Sequence, residues 1–163
     1  MKLNLECGSQ LLNGYINTSS VPIPNLDKVP EETQFCISRY NNLDAIAENG
    51  SVDEIIFGQP INVINPNDIV DVLRHWWTKL TSGGKLTLQL LDIRRIGKES
   101  HRGSLNLQDI HSLVYGPNYT YKLITDTDII KQILLDIGFK IMFVSIDNFT
   151  TVVEAVKIEQ VKN

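Results

Sequence analysis

The stretch that decides the fold is residues 51–91, which read SVDEIIFGQPINVINPNDIVDVLRHWWTKLTSGGKLTLQLL. The β-rich run Val52–Phe57 is stopped by Gly58 and Pro60, and this pattern predicts a buried central strand. Apolar residues then recur at helical spacing over Asn67–Leu80, which predicts an amphipathic helix.

Two glycines, Gly83 and Gly84, end the helical pattern, and leucines then alternate with polar residues over Lys85–Leu91. The alternation predicts a second strand, followed by a polar loop over Asp92–Arg102. Strands that alternate with helices favour an α/β domain with a largely parallel sheet. In such sheets a ligand binds beyond the carboxyl ends of the strands, so the loops there are the candidate site.

Weaker patterns on both sides extend this unit. They predict short strands at Leu3–Leu5, Tyr15–Asn17 and Phe35–Ile37, a proline-containing loop at 21–32, helices after Ser104 and after Thr125 or Asp126, and an antiparallel hairpin around Asp147-Asn148. Six residues separate Gly8 from Tyr15, which is room for about one helical turn, so the first crossover helix is predicted to be much reduced. We interpret residues 1–163 as one domain.

Composition narrows the class of protein. The 163 residues are 42% apolar, and 15 basic against 19 acidic side chains give a net charge of −4, which disfavours nucleic acid as a partner. The N-terminal segment is too polar for a signal peptide and no long apolar run follows, so we expect a soluble cytoplasmic protein that does not bind membranes. Cys7, Cys36 and the three histidines lack metal-ligand spacing, and no metal site is predicted.

Four pieces of the chain, in this order and spacing, match a known family. They are Leu3–Ser9 (LNLECGS), Gly14–Asn17 (GYIN), Ser51–Ile55 (SVDEI) and Leu80–Leu86 (LTSGGKL), with Tyr115-Gly116 and Gly138-Phe139 further along. Over nearly its whole length the chain resembles the small class I S-adenosylmethionine (SAM)-dependent methyltransferases. The resemblance implies a Rossmann-like fold, SAM as cofactor and methyl transfer as the activity.

The resemblance also implies a cofactor site, from which this sequence departs. In the family a glycine-rich turn after the first strand lets the backbone approach the methionine part of SAM. Here Cys7 and Gly8 are kept, but Glu6 stands at the first glycine and Gln10 near the third. The Glu6 carboxylate either fills space that the ligand needs or receives the ammonium group of an amino-acid ligand.

The acid with which the family binds the ribose is replaced by Ser19, whose neutral hydroxyl offers one weaker hydrogen bond. After the fourth strand, where related proteins carry a histidine-containing segment, this chain has Gln59-Pro60-Ile61-Asn62-Val63. The predicted cofactor-binding residues are Glu6, Cys7, Gly8, Ser9, Ser19, Ser38, Phe57, Gly58 and Gln59.

Polar residues after the strand at Lys85–Leu91 predict a substrate site. Their cations could hold an anionic acceptor with His101 as the general base, or the segment could be a solvated loop. His111 and Tyr115 lie four residues apart on one face of a predicted helix and could border the same cleft. The predicted substrate-binding residues are Asp92, Arg94, Arg95, Arg102, His111 and Tyr115.

Three functions fit these patterns. The first is SAM-dependent methyl transfer to a small, anionic acceptor molecule, and the second is an inactive methyltransferase fold that serves as a binding or assembly module. The third is an α/β protein that binds another nucleotide or nucleoside in the same cleft. The edge of the predicted hairpin could pair with a second copy and give a homodimer.

Overall fold

The computed structural model describes residues 1–22 and 33–159, and these residues contain one mostly parallel sheet. Its seven strands are β1 (Lys2–Leu5), β2 (Ile16–Ser19), β3 (Gln34–Ile37), β4 (Val52–Pro60), β5 (Leu80–Leu91), β6 (Phe139–Asp147) and β7 (Thr150–Lys157). They lie in the order β3-β2-β1-β4-β5-β7-β6, and β7 runs antiparallel to both of its neighbours. The existence of the predicted strands and of the C-terminal hairpin is confirmed. Two predicted boundaries are wrong, because β4 continues through Gly58 to Pro60 and β5 already begins at Leu80, before Gly83 and Gly84. The loop predicted at 21–32 lies outside the described residues after Pro22.

The helices of this part of the chain are α1 (Ile69–Lys79), α2 (Ile93–His101), α3 (Leu107–Tyr115) and α4 (Thr127–Ile137). The prediction of a loop over Asp92–Arg102 is wrong, because the Asp92 side chain accepts hydrogen bonds from the N–H groups of Arg94 and Arg95 and starts α2. Helix α3 is capped by Asn106 and not by Ser104, since only Asn106 forms a capping box with Asp109. Asp126 caps α4, as predicted.

One face of the sheet carries the hydrophobic core. Leu3, Ile55, Leu86 and Ala155 are neighbours in register across four strands, and all four are buried. Helices α1 and α4 contact each other and cover this face, where Trp76 of α1 is fully buried. The alternation of leucines in β5 thus places its apolar side chains under the helices.

The other face of the sheet is covered differently, because no helix forms between β1 and β2. The loop over residues 6–15 is fixed instead by two buried side chains, Asn4 and Asn17, which point away from the core. Asn4 Nδ2 donates to the carbonyl oxygen of Gln10 at 2.8 Å, and Asn17 bonds both backbone groups of Leu12. The predicted reduction of the first helix is confirmed.

Candidate functional site

The carboxyl end of β1 turns sharply through two residues with left-handed backbone. Glu6 has φ 50° and Gly8 has φ 54°. The N–H of Cys7, between them, donates to the carbonyl oxygen of Thr18 at 2.9 Å and ties the turn to β2. Glycine adopts such φ values freely, whereas a glutamate there is strained by about 1–3 kcal/mol. The turn therefore keeps a backbone suited to glycine at a position where the sequence has glutamate.

The side chain of Glu6 extends from this turn to the end of β2. Its two carboxylate oxygens accept hydrogen bonds from the backbone N–H of Ser20 at 3.2 and 3.3 Å. Ser19, next to it, is buried, and its hydroxyl oxygen accepts from the N–H of Val21 at 3.3 Å. The N–H of Ser38 donates to the Ser19 carbonyl oxygen at 3.0 Å. The structure thus brings a carboxylate to the end of β2 from a neighbouring strand.

The end of β4 approaches the same turn closely. A Cβ atom on Gly58 would lie 2.9 Å from the carbonyl oxygen of Glu6 and 3.2 Å from the Cα of Cys7, so only glycine permits this spacing. Gln59 is exposed, and its Nε2 would lie 3.7 Å from a Cβ on Gly8. Gly58 and Gln59 therefore lie next to the turn, and their role in cofactor binding stays a prediction.

The ring of Phe57 faces the core, although the residue lies at the turn region beside Gly58. Its side chain is buried in the core, where its ring centroid lies 5.1 Å from that of Trp76 and 5.5 Å from that of Tyr40. Burial, together with the negative charges of Glu6 and Asp68, raises the pKa of Tyr40 above its usual value. The Tyr40 phenol consequently stays protonated near neutral pH.

A groove of about 160 Å³ begins beside the turn and runs along β4 and β5 on the face opposite the core. Its lining consists of Gln10, Ile56, Phe57, Gly58, Thr87, Leu88, Gln89 and Val152. Burial, more than the charge of Glu6, raises the pKa of the Cys7 thiol, which is therefore neutral at physiological pH. The residues that line the groove are all uncharged.

Asp92, at the end of β5, is buried and serves two helices at once. One carboxylate oxygen accepts from the N–H groups of Arg94 and Arg95, and the other accepts from the N–H and hydroxyl of Thr127. Burial raises its pKa, but these hydrogen bonds outweigh burial and leave the pKa below its usual value. The Asp92 carboxylate is thus fully engaged in joining α2 to the start of α4.

The cations predicted to bind substrate differ in their partners. Arg94 pairs with Asp126 at 2.8 Å and with Asp128 at 3.0 Å, and Arg102 pairs with Glu99 at 2.6 Å. Nε of Arg95 is buried and has no hydrogen-bond partner among the described residues. His101 is exposed in the last turn of α2. Arg95 therefore differs from Arg94 and Arg102 in forming no ion pair among the described residues.

Helix α3 presents an aromatic cluster to solvent. The ring centroids of His111 and Tyr115 are 4.8 Å apart, as their spacing predicted, and that of Tyr119 lies 5.5 Å from His111. No residue of α3 is buried, although Leu113 and Val114 line a small cavity against β5 and α2. The structure places this cluster on the segment after β5, where the sequence predicted the substrate side.

Sequence reasoning missed Asn62, which connects the ends of β4 and β5. Its side chain accepts from the N–H of Leu91 at 2.8 Å and donates to the carbonyl oxygens of Leu91 and Leu123, while its own carbonyl accepts from Lys122 and Leu123. The sequence contains one signal of this role, because Asn62 is the only polar residue in the apolar run Ile61–Ile64. A polar side chain that is buried in such a run must find hydrogen-bond partners.

Two further features of the described residues bear on metal binding and on membrane insertion. In residues 1–22 and 33–159, no three His, Cys, Asp or Glu side chains are grouped so that they could hold a metal ion. None of the helices in the same residues is long and apolar enough to cross a lipid bilayer.

Comparisons with known proteins identify the fold. Neither protein-family models nor curated protein sequences match this chain. Solved structures do match, and two are SAM-dependent methyltransferases. That of Archaeoglobus fulgidus has a TM-score of 0.66 and 13% identity, with 96% of this chain and 85% of that chain covered. That of Methanosarcina mazei has a TM-score of 0.64 and 14% identity, with 98% and 92% covered.

A third match comes from a complex of the Haloferax volcanii Trm112 methyltransferase activator with a methyltransferase. Its TM-score is 0.68 at 10% identity, with 99% of this chain and 83% of that chain covered. At such identities the likeness concerns the fold alone. The chain has the class I SAM-dependent methyltransferase-like fold, as the sequence resemblance implied.

Proposed function

We propose that the chain binds SAM at the carboxyl ends of β1, β2 and β4 and catalyses methyl transfer to a small anionic acceptor. The observation that carries this proposal is the turn after β1, which keeps left-handed backbone at both Glu6 and Gly8 although a glutamate is strained there. Strained backbone persists mainly where function requires its geometry. Ligands of open α/β sheets bind beyond the carboxyl ends of the strands, which supports the same location, and the fold matches those of SAM-dependent methyltransferases.

The residues at this edge fit the cofactor in two respects. Close approach of backbone is provided by Gly8 in the turn and by Gly58, which lies against it. A carboxylate that can accept from the ribose hydroxyls is provided by Glu6, because its oxygens lie against the N–H of Ser20 at the end of β2. Glu6 then compensates for the neutral Ser19, and ribose binding accounts for the carboxylate better than ammonium binding does.

The acceptor would bind beyond β5. SAM supplies an electrophilic methyl group when bound, so the protein needs to align an acceptor with it and, for some acceptors, to remove a proton. The partly exposed guanidinium of Arg95 would hold the anionic part of the acceptor, and the exposed imidazole of His101 would act as the base. His111 and Tyr115 would provide an aromatic border to the acceptor site.

Calorimetric titration with SAM and S-adenosylhomocysteine tests the proposal. Saturable binding is expected for the wild type and not for Gly8→Arg, because an arginine in the turn blocks the approach of the ligand. Gly14→Arg is the matched control: Gly14 also has positive φ, has no atom within 4 Å of a Cβ, and lies at the amino end of β2. Absence of binding to the wild type at millimolar ligand, or equal binding by both variants, would reject the proposed site.

The alternative function, a binding or assembly module without catalysis, is favoured by one set of contacts. Asp92, Arg94 and Arg102, which the sequence assigns to the acceptor, all have intramolecular partners. An assay of methyl transfer from radiolabelled SAM to small carboxylic and phosphorylated compounds distinguishes the two functions. Cofactor binding without transfer to any of them would favour the module.

A further inference from the structure

Among the described residues, strand β6 forms one edge of the sheet, and no other strand of residues 1–22 and 33–159 pairs with its outer side. It pairs with β7 on its inner side and is the last strand in the sheet order. Its nine residues, Phe139–Asp147, make it more than twice as long as the four-residue β3 at the opposite edge. A long edge of this kind is a template for pairing with a further strand.

The side chains of β6 do little to protect this edge. Met142 is 57% exposed, Phe143 54% and Ile146 47%, and the strand contains neither proline nor glycine. One irregularity in its register with β7 lies between Ile141 and Phe143, and the residues from Val144 to Asp147 then pair regularly. Large apolar side chains are thus exposed along this edge, both at the irregularity and on the regular part that follows it.

The charges of β6 are confined to its two ends and have opposite signs. Lys140 pairs in register with Val156, and Asp147 pairs with Thr150. Val156 and Thr150 in turn lie opposite Lys85 and Leu91 of β5, so both charged side chains belong to the sheet face opposite the core. Neither Lys140 nor Asp147 forms an ion pair within the part of the chain that the structure describes.

We propose that β6 is a homodimer interface, in which β6 of one copy pairs antiparallel with β6 of a second copy about a two-fold axis. Antiparallel pairing brings the Lys140 end of each strand to the Asp147 end of the other, on the same face, and gives two equivalent ion pairs. Parallel pairing would place like charges together. Exposed apolar side chains between these ends become buried, and the two-fold symmetry closes the assembly at two copies.

This interface is independent of the proposed cofactor site. Strands β4, β5 and β7 lie between β1 and β6 in the sheet, so substitutions in β6 do not touch the turn at Glu6 and Gly8. The second copy extends the sheet and leaves the carboxyl ends of β1, β2 and β4 open. Dimerisation through β6 can therefore be tested independently of SAM binding and methyl transfer.

Charge reversal tests the pairing directly. The wild type is expected to sediment at equilibrium with twice the chain mass of 18.4 kDa. Lys140→Glu alone and Asp147→Lys alone should each weaken dimerisation by about tenfold or more, because each places like charges across the interface. The double variant should regain the dimer, since it exchanges the two signs.

A mixture of the two single variants gives the sharpest result. In a mixed dimer, position 140 of the Lys140→Glu chain faces position 147 of the Asp147→Lys chain, so a carboxylate meets an ammonium group. Lys140 of the second chain faces Asp147 of the first, which is also an attractive pair. The mixture should therefore form heterodimers, whereas each variant alone stays largely monomeric. Circular dichroism of each variant checks its fold, and Lys98→Glu, on exposed α2, is the matched control that should dimerise like the wild type.

Three results would overturn the proposal. They are a monomeric wild type at high micromolar concentration, single variants that dimerise as the wild type does, and a mixture that does not associate more tightly than its components. Amide hydrogen exchange gives a second measurement, in which protection of β6 should rise with protein concentration.

Discussion

The amide of Asn4 donates to the side-chain oxygen of Asn17 at 2.8 Å, and this buried pair holds the loop that stands in place of a helix between β1 and β2. The same Asn17 oxygen accepts from the N–H of Leu12 at 2.8 Å, and its nitrogen donates to the Leu12 carbonyl oxygen at 3.0 Å. The loop that leads out of the candidate cofactor turn is therefore positioned by an asparagine of the following strand.

Asn17→Ala is expected to lower the free energy of unfolding by about 2–4 kcal/mol, because it removes one of the two acceptors of the buried Asn4 amide and both partners of the partly buried Leu12 backbone. Urea unfolding followed by circular dichroism measures the loss. Asn49→Ala, on an exposed turn, should change stability by less than about 0.5 kcal/mol. Equal effects of the two substitutions would mean that the pair does not stabilise the loop.

His75 should make the stability depend on pH. Its Nε2 accepts a hydrogen bond from the N–H of Leu43 at 2.9 Å, which requires the neutral ring. Burial, the largest influence, and the charge of Lys79 lower its pKa, Asp44 opposes them, and the net pKa lies below the usual value. When the pH is lowered, His75 therefore binds a proton at a higher pH in the unfolded chain than in the native protein. Stability falls as the pH drops from about 6.5 toward the native pKa.

His75→Gln keeps an acceptor for Leu43 but does not titrate, so it isolates this effect. Between pH 7.5 and 5, the wild type should lose stability relative to this variant, by at most about 1.4 kcal/mol per pH unit. Urea unfolding at a series of pH values measures the difference, and NMR titration gives the pKa of the ring. A ring that titrates above pH 6.5 in the native protein would contradict the expectation.

The order of strands and helices could be predicted from the sequence because each element carries its own periodicity. The leucines of β5 and the stripe of α1 each bury one face, and local pattern determines both. Residues 93–101 were the exception, since their sequence is polar and their helix depends on a single cap, Asp92, with partners 35 residues away in Thr127. A cap shared between two helices has no local signature.

The candidate site was predictable in place but not in detail. Its location follows from the parallel sheet, whereas the contact between Glu6 and Ser20 depends on side-chain direction across two strands. Partners of Arg94 in α4 and of Asn62 in β5 likewise depend on the packed structure. The sequence therefore predicted at which end of the sheet polar side chains lie. Only the folded structure shows which of these side chains already have hydrogen-bond or ion-pair partners within the protein.

Gly58 and Gly97 should respond in opposite ways to alanine. At Gly58 a Cβ would lie 2.9 Å from the carbonyl oxygen of Glu6, so Gly58→Ala should force the end of β4 from the turn and cost about 1–3 kcal/mol. At Gly97, inside α2, no atom lies within 4 Å of a Cβ, so Gly97→Ala should stabilise by about 0.5–1 kcal/mol. Thermal and urea unfolding measure both changes, and a neutral Gly58→Ala would disprove the close approach.

Glu6 gives the decisive test of how the proposed cofactor is held. If its carboxylate accepts from ribose hydroxyls, Glu6→Gln should weaken binding of S-adenosylhomocysteine by about 10- to 100-fold, the range for a lost charged hydrogen bond. Methylthioadenosine keeps the ribose but lacks the ammonium group, so its affinity should fall in parallel.

The same titrations separate the other roles of this carboxylate. A loss confined to S-adenosylhomocysteine would assign Glu6 to the ammonium group, and tighter binding by Glu6→Gly would identify the side chain as an obstruction. Glu48→Gln, on the exposed segment before β4, is the control and should leave both affinities unchanged. Because Glu6→Gly also removes the strain at φ 50° while losing the contacts with Ser20, its stability should be measured beside its affinity.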